Sequence, residues 1–435
     1  MAATSPDTIV ALSSGRLPAG VAIVRLSGPS CRTVLETIAG FVPPPRQATV
    51  AVLRGRQRDE IDKVLVLFFP GPKSFTGEDC AELHLHGSRA IVAAVLADLT
   101  NMPAVRLAEA GEFTRRAFLN GKIDLLQAEG LADLVAADTE AQRRLALHNS
   151  EGAQSVLYAR WREQILHARA MIEAELDFAD ESDVPGSVSE AVWLEMSSLA
   201  STIQVHIQGY RQAEIIRDGF EVVIIGPPNA GKSSLINALA RREVAIVSDE
   251  PGTTRDMVEA VLDLNGVKVR LTDTAGIRSD AAGIEAIGIE RAKARAQRAD
   301  LVLNLSELGS GLLDGPQGIA ALRVATKIDL APSHPADLAI SVASGQGLPE
   351  LLEEISRRAA LAAGKAGDVI PSRERHVQYL KSCLVHLVQA CTSSDGLEIR
   401  AEELRLASDH LGRISGKVDP EQLLGVIFSQ FCIGK

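Results

Sequence analysis

Gly226, Gly231, Lys232 and Ser233 fall in the pattern G-x-x-x-x-G-K-S. Residues of these types at this spacing can hold the phosphates of a nucleotide. The glycines admit backbone N–H groups to phosphate oxygens, the lysine neutralises β/γ charge, and the serine hydroxyl can ligate Mg²⁺. Asn229, Ala230 and Ser234 complete the loop. Two further clusters follow in the order such a site needs. Ser248, Asp249, Glu250, Pro251, Gly252, Thr253 and Thr254 carry a hydroxyl, Thr254, that can finish Mg²⁺ coordination and report the γ-phosphate. Asp273, Thr274, Ala275 and Gly276 offer a second carboxylate on the Mg²⁺ side with a glycine hinge behind it.

The base-reading chemistry falls to Lys327 and Asp329. A carboxylate at Asp329 pairs with the N1–H and N2–H donors of guanine, which selects GTP. Thr326 stands where asparagine is usual, and Ser341 and Val342 occupy the loop expected to flank the base. Hydrolysis needs a group that orients water. The residue after Gly276 is Ile277, which cannot do so, and no arginine in cis is placed to offset transition-state charge. Asn229 and the oxygens of residues 248–254 can hold a monovalent cation where an arginine would sit. Glu285 can hold the water.

These residues require a strand, a loop and a helix. Residues 222–225, VVII, read as a buried parallel strand running into Gly226. Leu235, Ile236 and Leu239 then give helical spacing. A glycine turn with a solvated lysine is the plain alternative, and the flanking strand and helix decide against it. Strands are expected at 267–273, 301–305 and 322–325, alternating with helices, which implies a doubly wound parallel sheet.

The chain has 435 residues, so two or three domains are expected. A net charge of −11 argues against a broadly basic surface that coats nucleic acid. The five cysteines are scattered, without metal-ligand spacing, which fits a reduced, cytoplasmic protein. No apolar run reaches membrane-spanning length.

Residues 1–120 read as an α/β unit, with strands at 21–26, 64–69 and 81–85, a helix at 88–99, and an exposed loop at 70–79. From residue 122 the period becomes 3.6. Ile165, Ala168, Ile172 and Leu176 mark one helix face; Val192, Met196, Leu199, Ile203, Ile207 and Tyr210 mark another. Residues 178–186 read as a solvated acidic loop, and 361–369 as a linker. The helical period returns with Val377, Leu380, Leu384, Leu387 and Cys391. A last helix is expected to start at Asp419, with Pro420 at N1 and Gln422 closing a capping box, and to bury Leu424, Ile427, Phe428 and Phe431. Helices on both sides of one α/β block imply insertion: a helical domain at 121–216 and 371–435, interrupted by a nucleotide-binding domain at 217–365.

PNAGKSSL, SDEPGTTRD, DTAGIR and EAIGIERA, with VAIVRLSG near the start, GEFTRRAFLNGKIDLLQAE at 111–129 and CIGK at 432–435, together make the chain resemble the tRNA-modification GTPases of the MnmE (TrmE) family. The resemblance covers essentially the whole length. It implies an N-terminal folate-binding and dimerisation α/β domain, a discontinuous helical domain and an inserted Ras-like P-loop G domain. It also implies a homodimer that works with the flavoprotein MnmG (GidA), in a heterotetramer or larger complex, to add an aminomethyl or carboxymethylaminomethyl group to carbon 5 of the wobble uridine of certain tRNAs. The one-carbon donor would be a tetrahydrofolate derivative, in the 5-formyl or 5,10-methylene form. By the same resemblance, potassium is held by Asn229, Ser248, Glu250 and Thr253, and Mg²⁺ by Ser233 and Thr254. Glu285 orients water. Folate contacts map onto Arg25, Glu82, Lys122 and Lys435. Arg25 and the lysines pair with glutamyl carboxylates, and Glu82 accepts from the pterin. Cys432 is a candidate nucleophile, or a small buried residue continuing the Phe428–Phe431 face. The G-domain motifs alone also permit a ribosome-assembly or regulatory GTPase, and the altered base-reading motif permits a folate enzyme with a vestigial G domain.

Overall fold

The computed structural model describes residues 6–177, 188–242, 244–246, 259–273, 297–307, 318–330, 336–364, 367–394, 396–418, 421–429, 431 and 434. The chain divides into two compact units. The first comprises residues 1–132, 155–162 and 409–435, and the second residues 133–154 and 163–408.

The first unit is built on a six-stranded sheet. Its strands are β1 (Thr8–Leu12), β2 (Ala19–Ser27), β3 (Thr49–Arg54), β4 (Glu60–Phe69), β5 (Cys80–Gly87) and β6 (Val105–Leu107), in the order β3-β4-β5-β2-β1-β6. All neighbours are antiparallel except β1 and β6. Strict alternation in β2 buries Ala22, Val24 and Leu26 on one face, where Leu83 and Leu85 of β5 join them. Helices α1 (Cys31–Ala39) and α2 (Arg89–Thr100) cover that face with Val34, Leu35, Val92 and Leu99. Ser88 caps α2, its hydroxyl accepting from Ala90 N at 3.2 Å.

Alternation sends Arg25 and Ser27 to the opposite face, beside Glu82 and Cys80 of β5. Helix α3 (Glu112–Leu119) brings Phe113 to this side, packed with Ile9, Ala11 and Ala108. Helix α4 (Leu125–Ala136) and helix α13 (Glu421–Ser429) meet through Leu125, Ala128, Leu424, Ile427 and Phe428, with Phe431. The apolar stripe expected of the last helix is thus buried. Residues 419–420 and the Gln422 side chain lie outside the described residues.

In the second unit a six-stranded sheet has the order β12-β11-β10-β7-β9-β8. Its strands are β7 (Phe220–Ile225), β8 (Glu259–Leu264), β9 (Val267–Asp273), β10 (Leu301–Ser306), β11 (Ala321–Ala325) and β12 (Leu338–Ala339). Five strands run parallel, but β8 is antiparallel to β9. The strands expected from the sequence are all parallel, and β8, which lies outside that expectation, adds an antiparallel edge. Asn265 and Gly266, both at positive φ (54° and 85°), close a two-residue hairpin between β8 and β9. Helices α9 (Lys232–Ala240) and α10 (Leu348–Ala363) cover the core of Val222, Ile224, Leu235, Leu271, Leu303 and Leu351. Ala363 still belongs to α10, so the linker read from residue 361 begins later than expected.

The remaining helices are α5 (Glu140–Ser150), α6 (Ala153–Asp177), α7 (Val188–Gln208), α8 (Tyr210–Asp218), α11 (Glu374–Thr392) and α12 (Leu397–Ser415). Ile165, Ala168 and Ile172 are buried on α6, and Val192, Met196, Leu199 and Ile203 on α7. Tyr210 does not continue α7; Gly209 ends it and opens α8. On α11 the buried stripe is His376, Val377, Leu380, Cys383, Leu387 and Ala390, while Leu384 and Cys391 are half-buried. Residues 178–186 lie outside the described residues.

Candidate functional site: a phosphate loop and a charged sheet face

The phosphate loop connects β7 to α9, as the spacing of its residues requires. Gly226 leaves the strand where a Cβ would stand 2.6 Å from Leu305 O, so only glycine fits. Asn229 and Gly231 both adopt left-handed backbone, at φ 66° and 89°. Lys232 is the first residue of α9 and is buried, with 8% of its surface exposed. Its Nζ donates to the carbonyls of Gly226 (2.7 Å) and Pro227 (2.9 Å), so the ammonium is held inside the loop it opens. Burial pulls its pKa below the usual lysine range, and the Asp273 carboxylate opposes that fall.

Ser233 Oγ donates to Asp273 Oδ2 at 2.8 Å. The first turn of α9 and the last residue of β9 are therefore in contact, although 40 residues separate them in sequence. Asp273 is 5% exposed. A hydroxyl and a buried carboxylate side by side form a hard, all-oxygen donor pair of the kind that suits Mg²⁺.

At the far end of the sheet, Thr326 follows β11 and Asp329 stands exposed three residues on. Lys327 has φ 57° and pairs with Glu307 at 2.8 Å. Thr326 is buried, and its hydroxyl donates to Ala230 O in the phosphate loop at 2.9 Å. Ser341 is also buried. Its Oγ accepts from Ser344 N at 3.1 Å, so the side chain shapes its own loop. Val342 beside it is half-buried. Residues 248–254 and 274–277, with Glu285, lie outside the described residues.

In the first unit, Arg25 on β2 and Glu82 on β5 are direct cross-strand partners. Arg25 Nε donates to Glu82 Oε1 at 3.1 Å, and His84 Nε2 lies 3.3 Å from Glu82 Oε2. The Arg25 guanidinium also lies over the Phe113 ring, 5.9 Å from its centroid. The two residues expected to contact folate from the sheet are thus held together. Lys122 is held elsewhere in the unit: its Nζ donates to Pro72 O at 2.9 Å. Cys432 and Lys435 lie outside the described residues, but Gly434 between them is described. Ser13 Oγ donates to Gly434 O at 2.5 Å, just beyond the end of β1.

The loop at 70–79 is not simply exposed. Thr76 is fully buried, with its Oγ1 2.7 Å from Ser27 Oγ, and Ser74 is buried too. Three side chains from the segment after Gly111 grip this loop. Arg116 reaches Glu78 at 3.1 Å, Asn120 Nδ2 donates to Thr76 O at 2.8 Å, and Lys122 reaches Pro72 O. Arg116 is 3% exposed and also pairs with Asp7 and Glu112. Arg106 joins the same two carboxylates. Burial alone would raise the pKa of Asp7 and Glu112. The hydrogen bonds and charges of Arg106 and Arg116 outweigh it, and both groups sit below the usual carboxylate range. This network was missed in the sequence, where a paired Arg115-Arg116 on an amphipathic helix is the only trace of it.

A buried lysine in a glycine loop, between a central parallel strand and a helix N-terminus, defines a P-loop nucleotide-binding protein with a Ras-like G domain. Comparison with known proteins narrows the class. The family model for the GTP-binding protein TrmE N-terminus matches residues 8–122, and that for the MnmE helical domain matches residues 125–432. A tRNA modification GTPase MnmE from Mesorhizobium japonicum is 59% identical over 99% of this chain and 100% of its own. Proteins of the same name from Brucella anthropi and a Chelativorans species are each 55% identical, over 100% and 99% of this chain and 99% and 98% of theirs. The chain belongs to the MnmE (TrmE) family of tRNA modification GTPases, and it is a GTP hydrolase. Among the described residues, no helix is long and apolar enough to cross a membrane.

Proposed function

We propose that this chain hydrolyses GTP in a potassium-activated homodimer and, together with the flavoprotein MnmG, adds a (carboxymethyl)aminomethyl group to carbon 5 of the wobble uridine of certain tRNAs. A tetrahydrofolate derivative supplies the carbon. The observation that carries the nucleotide half of this reading is the Ser233–Asp273 contact beneath the phosphate loop.

Lys232, Gly231 and the neighbouring backbone N–H groups bind the phosphates, and Asp329 with Lys327 reads guanine. Ser233 and Thr254 would hold Mg²⁺, with Asp273 behind them, and that ion would neutralise charge on the β- and γ-phosphates. Potassium would be held by Asn229, Ser248, Glu250 and Thr253, supplying positive charge where an arginine is absent. The exposure of Asn229 supports this, because it leaves that residue open to an ion at the loop. Glu285 orients the attacking water, a task Ile277 cannot perform. In the first unit, Arg25, Glu82, Lys122 and Lys435 hold the folate, and Cys432 is a candidate nucleophile. The fixed Arg25–Glu82 pair supports this reading: it presents a donor and an acceptor side by side on a sheet face.

The test is a gene deletion followed by nucleoside analysis of tRNA, complemented with the intact chain. Loss of the 5-substituted wobble uridine and its return on complementation are expected. Intact modified uridine in the deletion strain would sink the proposal.

A further inference from the structure

Residues 70–79 join β4 to β5, and within them Phe75 stands between two buried neighbours. Ser74 and Thr76 are 7% and 0% exposed, while Phe75 is 42% exposed, the highest value for any aromatic among the described residues. Both neighbours are tied down. The Ser74 hydroxyl donates to Glu78 O, Thr76 Oγ1 lies 2.7 Å from Ser27 Oγ, and Asn120 Nδ2 donates to Thr76 O at 2.8 Å. Gly71 N donates to Asp79 Oδ1 at 2.9 Å and closes the base of the loop. Leaving the ring in water forfeits the burial that an aromatic gives a fold. A ring on a backbone tied at both sides, however, has little freedom left to lose when a partner stacks on it.

Cations gather on the same loop. Arg46 donates to Lys73 O and lies over the Phe69 ring, 5.6 Å from its centroid, and Lys122 Nζ donates to Pro72 O at 2.9 Å. Among the described residues, Arg46, Lys73 and Lys122 have no carboxylate partner, whereas Arg25, Arg32, Arg54, Arg106 and Arg116 of the same unit all do. Their charge is left for a ligand. Lysine and arginine outnumber aspartate and glutamate in the first unit, although the whole chain has a net charge of −11, so an anion meets its more favourable field there.

An exposed ring beside unpaired cations fits single-stranded nucleic acid, in which a splayed base stacks on the ring and phosphates meet the cations. We propose that Phe75, Arg46 and Lys73 form a tRNA-docking surface: an unstacked base of the anticodon loop stacks on Phe75, and its flanking phosphates pair with the two cations. This surface adjoins the face assigned to folate. Thr76 touches Ser27, which follows Arg25 by two positions on β2 and shares its side of the sheet, about 7 Å along the strand. The inference rests on the reading of tRNA as the substrate.

The test uses the full chain and a fluorescent, unmodified tRNA transcript that carries a wobble uridine, with anisotropy read across a series of salt concentrations. Phe75→Ala should weaken binding by roughly five- to a hundredfold, the scale of one stacked base. Phe75→Tyr, which keeps the ring, should bind as the wild type does. Lys73→Gln should lower the slope of log affinity against log salt by roughly 0.7, the share of one phosphate contact on a single strand. Phe75→Ala and Lys73→Gln should melt as the wild type does, because both side chains are exposed. If Phe75→Ala does not fold, Phe75→Leu, which keeps apolar bulk without a ring, is read by the same criteria. Unchanged tRNA affinity in Phe75→Ala overturns the proposal. So does a loss of 5-formyltetrahydrofolate or flavoprotein binding in that variant with tRNA affinity kept, which would assign the ring to that contact. A wild-type chain that binds no tRNA overturns the substrate reading itself, whereas a wild type and a Phe75→Ala that bind equally well overturn the proposal alone.

Discussion

Ser233 Oγ and Asp273 Oδ2 lie 2.8 Å apart, joining the first turn of α9 to the last residue of β9. One hydrogen bond therefore aligns two groups that come from separate ends of their elements. Ser233→Ala should lower kcat for GTP hydrolysis by on the order of a hundredfold, the scale of a metal ion's electrostatic contribution. Asp273→Asn should lower it similarly. Chelation of Mg²⁺ should abolish wild-type turnover and leave little further to remove in either variant. Phosphate release at saturating GTP, with and without chelator, measures this.

Asn229 is exposed and left-handed, at φ 66°. Two substitutions separate its side chain from its backbone. Asn229→Gly keeps the backbone conformation without strain, whereas Asn229→Ala adds about 1 kcal/mol of left-handed cost. Both should lose the stimulation of hydrolysis by potassium over sodium. If Asn229→Gly retains it, the side chain does not hold the ion.

Arg25 and Glu82 satisfy one another, so removing either leaves the other with one partner fewer on a half-buried face. Arg25→Ala and Glu82→Gln should each weaken binding of 5-formyltetrahydrofolate by roughly tenfold or more, as the loss of a charge-assisted hydrogen bond does. Calorimetric titration reads the affinity. GTP hydrolysis by the same samples should be unaltered.

Glu112 and Asp7 are held below their ordinary pKa values by Arg106 and Arg116, against the effect of burial. A carboxylate whose folded pKa is depressed stabilises the fold above its unfolded pKa of about 4 and loses that contribution as pH falls through the folded value. Stability should therefore drop steeply below about pH 4, and Glu112→Gln should flatten that drop. Arg116→Met leaves Glu78 and Glu112 short of a buried partner and should cost about 3–5 kcal/mol near neutral pH. Denaturant titration across pH measures both.

Gly434 has φ 98°, and a Cβ there would stand 2.2 Å from Leu12 O. Gly434→Ala should displace the tail from Ser13. The expected outcome is loss of tRNA modification with GTP hydrolysis intact, read by nucleoside analysis and phosphate release on one preparation.

The phosphate loop was legible because its meaning is local. Eight consecutive residues specify the turn, and four apolar residues before it specify the strand. The hairpin of β8 and β9 was equally local and was overlooked: Asn265-Gly266 between alternating runs is a strong turn signal. The Arg25–Glu82 pair could not be read from pattern. The two residues are 57 positions apart, and only the strand register, with β2 beside β5, makes them neighbours. They entered through family resemblance alone. Arg116 was hidden for a related reason. Its three carboxylate partners come from the start of the chain, from a loop, and from its own helix. Thr326 read as a departure from the expected asparagine, yet the structure gives its hydroxyl a defined acceptor in Ala230.

The bond between Ser13 and Gly434 spans 421 positions. The first unit also draws its α13 residues, Leu424 to Phe428, from the same late segment. Its sheet can form early in synthesis, but the cluster of Leu125 and Ala128 is completed only when Leu424, Ile427, Phe428 and Phe431 emerge. At ordinary elongation rates that delay is on the order of tens of seconds. A chain stopped short of residue 424 would leave this apolar surface open, where chaperones or proteases can reach it. Completion of the first unit thus reports that translation has passed through the whole G domain.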